Sequence, residues 1–144
     1  MIKKCLMVMG AAALLFSGWS VCRAAADTAA KEKAAIAAAE AWLKLVDDGK
    51  YADSWKQAAA FFKNAVPQDK WETQLSAVRK PMGKKLTRTL GNSKYATTLP
   101  GAPDGEYVVI QFSASFENKK SATETVTPML EKDGKWRVSG YYIK

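Results

Sequence analysis

No histidine occurs in the 144 residues, and the two cysteines, Cys5 and Cys22, both precede Asp27. These absences exclude whole classes of chemistry. Beyond residue 26 there is no material for a Ser/His or Cys/His nucleophile pair, a zinc site of the usual ligands, a c-type haem attachment or a thiol redox role. Any catalysis would have to use carboxylates, tyrosine, lysine or arginine, and neither a cofactor nor a metal is expected. Internal repeats are missing too, and the only compositionally biased tract is Ala-rich, at the start of the first predicted helix.

The N-terminus has the three parts of a cleavable export signal. Lys3 and Lys4 supply positive charge, Cys5 to Phe16 form an uncharged apolar stretch, and Ala24-Ala25-Ala26 present small side chains before Asp27. The apolar stretch is short of the about 20 residues that span a membrane, so a retained anchor is the rival reading. A cut before Asp27 would remove 26 of the 144 residues and leave 118. All 14 acidic residues would stay; of the 22 basic ones Lys3, Lys4 and Arg23 would go, leaving a net charge of +5. That length suits one domain, expected over 27–144, with one core and no disulfide, in a periplasmic or secreted location.

From Thr28 the spacing predicts a long helix to Asp48, with Ile36, Ala39, Leu43 and Val46 on one stripe and Gly49 as its terminator. A second helix is predicted over 51–64. A third is opened by Pro67, aligns Trp71, Leu75 and Val78, and is ended by Pro81 and Gly83. The period then changes to two: Val108, Ile110, Phe112, Ala114 and Phe116 alternate with polar neighbours, as in a half-buried strand. Asp133-Gly134 predicts a tight hairpin of type I′. Strands are expected over about 85–98, 106–117, 122–131 and 135–143. Helices followed by an antiparallel meander give an α+β fold: about three helices packed on a curved, cone-like four-stranded sheet.

Several segments carry a resemblance. Ala39-Glu40-Ala41-Trp42-Leu43 running into Asp47-Asp48-Gly49-Lys50-Tyr51, the Pro100 to Val109 segment, and Asp133-Gly134-Lys135-Trp136-Arg137-Val138 resemble a bacterial family of exported proteins, the domain-of-unknown-function family numbered 4019. That resemblance implies an exported α+β domain and no established activity. More loosely, the pattern of helices and final hairpin is similar to the nuclear-transport-factor-2-like, or cystatin-like, superfold. There a sheet wraps a long helix around a conical pocket, and members include both enzymes and binding modules, so the fold alone selects no function.

Three groups of residues carry candidate chemistry. Arg88 shares its strand phase with Leu86 and Leu90, and Glu124 shares its phase with Val126 and Leu130, which aims both toward the core face. If they meet, they could form the floor of a polar pocket; a bulge near Pro128 or a slipped register would instead leave one in water. Tyr141 and Tyr142 point to opposite faces, so at most one is internal, and Tyr142 joins Arg88 and Glu124 as a possible pocket residue. Second, Arg79, Lys80, Lys84, Lys85, Arg88 and Lys94 occur with no acid among them. They suggest contact with an anionic envelope component or another envelope protein, while nucleic acid is excluded by the lack of aromatic interleaving and by export. Third, the aromatics (Trp42, Trp55, Phe62, Trp71, Trp136 among them) could line an apolar pocket, but most lie on core stripes. Asp47, Asp48 and Asp53 surround Gly49 without the twelve-residue calcium-loop pattern.

The expected function is therefore a non-catalytic ligand- or partner-binding module of the cell envelope. A small lyase or isomerase using a carboxylate and a tyrosine, and a structural assembly module, are the alternatives. N-terminal mass analysis of the native protein is expected to find Asp27 first, in the periplasmic or secreted fraction. An intact N-terminus in the membrane fraction would identify a retained anchor instead.

Overall fold

The computed structural model describes residues 19–144, so the positive and apolar parts of the expected signal lie outside the described residues. Four helices come first: α1 (Trp19–Asp47), α2 (Tyr51–Lys56), α3 (Ala60–Ala65) and α4 (Gln68–Met82). They precede the strands β1 (Lys85–Ala96), β2 (Tyr107–Phe116), β3 (Lys119–Leu130) and β4 (Trp136–Ile143), paired antiparallel in the order β1-β2-β3-β4. The α+β meander is as expected, with four helices in place of three.

Each difference from expectation has a local cause. Helix α1 begins before Thr28 because Ala24-Ala25-Ala26 are as strong helix formers as the alanines after Thr28; the expected cleavage point therefore falls within it. The helix expected over 51–64 divides because Ala59 turns extended, with ψ 149°. Its N–H then donates to the carbonyl of Val138 at 2.8 Å, covering the open edge of β4. The Asp133-Gly134 hairpin is not type I′, since among the described residues only glycines have positive φ. Gly134 alone is left-handed, at φ 79°, and Glu131 pairs with Lys135 across a three-residue loop, the longer hairpin solution in which only the last position needs glycine.

Helix α1 ends where a glycine makes it end. Gly49 has φ 73°, its N–H reaches the carbonyl of Val46, and the N–H of Lys50 reaches that of Leu45, a Schellman closure. Asp47 is thereby fixed as the last residue of α1, in the direction of the sheet.

The helices cover one face of the sheet. Ala35, Ala39, Trp42, Leu43 and Val46 of α1 meet Val108, Ile110 and Phe112 of β2, Val126 of β3 and Val138 of β4 in the main core. A smaller apolar cluster of Met82, Ala114, Phe116 and Ala122 lies farther along the same sheet face. Trp42, Phe62, Trp71 and Tyr141 pack in tilted and edge-on pairs with centroids 5.0–6.3 Å apart. The indole N–H of Trp42 donates to the carbonyl of Ser54 at 2.8 Å and that of Trp71 to its hydroxyl at 3.0 Å. Buried Ser54 thus satisfies both rings, and these aromatics are core.

Candidate functional site

Between the two apolar clusters lies a layer of charge. On the inner face of β3, Glu124 stands between Ala122 of the smaller cluster and Val126 of the main core, and it is fully buried. Arg88 is on β1, two strands away, opposite Ala114 of β2. Strands are about 4.8 Å apart, so the guanidinium reaches Glu124 by crossing over β2, and the small side chain of Ala114 leaves room for it.

Arg88 and Glu124 meet directly. Arg88 Nε donates to Glu124 Oε2 at 2.6 Å and Nη2 to Oε1 at 3.1 Å. The other side of the same guanidinium grips Asp47, with Nη1 on Oδ2 at 2.7 Å and Nη2 on Oδ1 at 2.9 Å. One arginine therefore holds two carboxylates, each through two bonds, a geometry that a lysine's point charge lacks. Arg79 adds a bond from Nη2 to Asp47 Oδ1 at 2.8 Å and longer contacts to Glu124 Oε1 and the Tyr141 hydroxyl at 3.5 and 3.4 Å. Tyr141 donates to Glu124 Oε1 at 2.7 Å. Arg79 also lies 4.7 Å from the centroid of the Phe116 ring, while its buried Nε has no partner among the described residues.

Two arginines and two carboxylates leave this layer neutral, which is the arrangement burial favours. Burial alone would push the Asp47 carboxyl up, but hydrogen bonds from Arg88 and Arg79 overcome it and hold it below its ordinary value. The position needs that support, because a carboxylate at a helix C-terminus is disfavoured by the helix dipole. Burial, then the adjacent Glu124 carboxylate, pushes the Tyr141 phenol well above its usual range, with Arg79 opposing. Burial works against the charged guanidinium of Arg88, yet Asp47 and Glu124 raise its proton affinity on balance.

The sequence-predicted residues fall into two groups. Arg88 and Glu124 come together; Tyr142 does not join them and is exposed. Strict alternation from Trp136 and Val138 would turn Tyr142 inward, but Gly140 pairs with Thr127 while Val138 pairs with Pro128, so Ser139 is an extra residue. That bulge advances the phase by one and brings Tyr141 inside. Arg79 is not part of a basic surface: it is buried, and its helix turns Trp71, Leu75, Arg79 and Met82 inward while Val78 is exposed. Lys80, Lys84, Lys85 and Lys94 are exposed. Of the residues whose place in this layer sequence reasoning missed, Asp47 and Arg79 had a weak signal and Tyr141 had none. Asp47 is four residues beyond buried Leu43, and Arg79 four beyond Leu75.

Outside the charged layer, a cleft of about 530 Å³ opens between α1 and β1. Glu40, Lys44, Asp47 and Asp48 line it from the helix, and Lys84, Lys85, Arg88 and Leu90 from the strand side, with Phe112 of β2 below. Asp48 pairs with Lys44 at 2.9 Å, and Lys85 reaches Asp47 only at 3.7 Å. Among the described residues no group of three or more His, Cys, Asp or Glu is placed to hold a metal ion, and no helix is long and apolar enough to cross a membrane.

Removing one member of the charged layer strands its partners, typically at a cost of about 3–5 kcal/mol. Glu124→Gln and Arg88→Met should each cause a loss of that order in denaturant unfolding. The double variant is expected to lose less than the sum; small additive shifts would contradict a coupled, buried pair. The depressed Asp47 carboxyl sets a pH dependence as well. Its stabilisation is complete above the unfolded value near 3.8 and is lost as pH falls through the lower folded value. Urea midpoints between about pH 2 and 7 should therefore fall more steeply at the acid end for the native chain than for Asp47→Asn.

A family model described as "Protein of unknown function (DUF4019)" matches residues 38–141, a span that includes Asp47, Arg79, Arg88, Glu124 and Tyr141. No curated protein and no solved structure matches the chain, so the looser likeness to the nuclear-transport-factor-2-like superfold rests on sequence pattern alone. The family match covers well over half of the chain and nearly all of the folded domain: the chain belongs to the DUF4019 family.

Proposed function

We propose that this is an exported protein of the cell envelope that works without catalysis, as a module binding an anionic partner at the cleft between α1 and β1. The observation that carries this reading is the imbalance of free charge at the cleft. Asp47 and Asp48 are engaged by Arg79, Arg88 and Lys44, which leaves the Lys84 ammonium with no carboxylate partner among the described residues and Lys85 with only a 3.7 Å contact to Asp47. Of the carboxylates lining the cleft, Glu40 alone is outside these ion pairs. An anionic group entering there would face Lys84 and Lys85 in surroundings only partly open to water, where charge pairing is stronger than on a flat surface.

The enzyme alternative requires a carboxylate and a tyrosine that can reach a substrate. Glu124 and Tyr141 have the right chemistry, but they are bonded to each other and to arginines, and neither lines the cleft. A structural assembly module would favour an apolar outer sheet face. Here the outward positions of β2 and β3 include Gln111, Ser113, Ser115, Thr123 and Thr125, which suit water. Both considerations support binding at the cleft over the alternatives.

The test compares two anionic probes, polyglutamate and phosphatidylglycerol vesicles, with neutral phosphatidylcholine vesicles. The protein is expected to bind at least one anionic probe, more weakly as salt shortens the screening length from about 8 Å at physiological ionic strength to about 3 Å at 1 M. Lys84→Gln with Lys85→Gln should weaken binding while shifting stability by about 0.5 kcal/mol or less. Arg88 is left intact because its loss would disturb folding. Equal binding to neutral and anionic probes, or no effect of the lysine changes, would defeat the proposal.

A further inference from the structure

Both outer edges of the four-stranded sheet carry backbone groups that a further strand could use. The edge of β4 is covered at Val138 by the Ala59 N–H. The far end of β1 is covered by α1: Glu32 Oε1 accepts from the Tyr95 N–H at 3.0 Å, and Oε2 from the Ser93 hydroxyl at 2.9 Å. Among the described residues the near end of β1 has no such cover. Thr87–Leu90 pairs in regular register with Ser115–Phe112 of β2 between bulges at Leu86 and Gly91, and its outer side is bordered by the cleft. Large apolar side chains are exposed here as well, Leu86 at 61% and Leu90 at 48%.

We infer that the partner enters as an extended acidic peptide segment, adding a fifth strand along Thr87–Leu90 with its side chains in the cleft beneath α1. This deepens the proposal of an anionic partner and rests on it. Main-chain hydrogen bonds to an open edge supply affinity, and alternate side chains supply specificity. The face of such a strand that enters the cleft would set carboxylates beside Lys84 and Lys85 and an apolar side chain beside Leu90. A second copy of the chain is a poor occupant. Parallel pairing of two β1 edges sets Lys85 beside Lys85, and antiparallel pairing brings the Lys84-Lys85 end toward Lys94, so cations would face cations in either direction.

The experiment uses an eight-residue peptide that carries two Glu and two Val on one face with Thr at the alternate positions, and a second version methylated at every backbone nitrogen. The two carry the same charge, but the second has lost its backbone donors. Binding to the full folded protein is measured by calorimetry, and amide hydrogen exchange is followed along β1. The unmethylated peptide is expected to bind about tenfold or more tightly than the methylated one and to slow exchange at amides between Leu86 and Gly91. Equal affinity for both peptides, with both weakened by Lys84→Gln and Lys85→Gln, would overturn strand addition and leave the anionic cleft standing. Binding to phosphatidylglycerol vesicles alone would make the occupant a membrane surface and overturn the peptide. Failure of peptides, polyglutamate and vesicles together would remove both readings.

Discussion

The structure depends on a single guanidinium held between two carboxylates. Arg88 ties the last residue of the first helix, Asp47, to the inner face of the third strand at Glu124. Without it, Glu124 would keep the Tyr141 hydroxyl and a long contact to Arg79, and Asp47 would keep Arg79 and a distant Lys85; the cost of an under-compensated buried charge exceeds that of most single contacts. The placement of α1 over the sheet follows from this constraint. Hydrophobic burial brings helix and sheet together without strong directional preference, whereas the paired bonds of Arg88 allow one relative position. Aromatic packing around Ser54 adjoins the same layer through Tyr141.

The charged layer also explains why the apolar interior has two parts. Ala114, Phe116, Ala122 and Met82 are separated from the main core by Arg88, Glu124 and Tyr141, which run across the sheet face from β1 to β4. Replacing such a layer by well-packed apolar residues is often neutral or stabilising in proteins, so stability alone does not account for it. What it supplies is position: a fixed helix end, a fixed strand phase and a cleft mouth at which Asp47 is already engaged.

Much of this was legible in the sequence, for physical reasons that differ by element. Helix α1 and strand β2 have strong 3.6- and 2-residue periods over long spans, so their type and inner faces could be read directly. Glu124 and Arg88 could be aimed inward for the same reason. What could not be read was any feature set by another element. The break before α3 exists because the Ala59 N–H bonds to a strand about eighty residues away in sequence. Val78 and Arg79 are equally placed on a helical stripe, and only the acids across the interface decide that Arg79 turns inward. Tyr141 and Tyr142 exchange faces through one extra residue at Ser139, which leaves no mark in local composition.

The Ala59–Val138 bond and the charged layer have a kinetic side. A ribosome releases the first helix long before the last strand, yet the apolar face of α1 is completed by Val126 and Val138, and Asp47 finds Arg88 41 residues later. The contacts that fix α1 on the sheet join residues far apart in the chain, and distant contacts slow folding. Until β3 and β4 emerge, α1 carries an unshielded apolar stripe and an unmatched acidic end. The interface between helix and sheet is therefore closed only when the final hairpin is present.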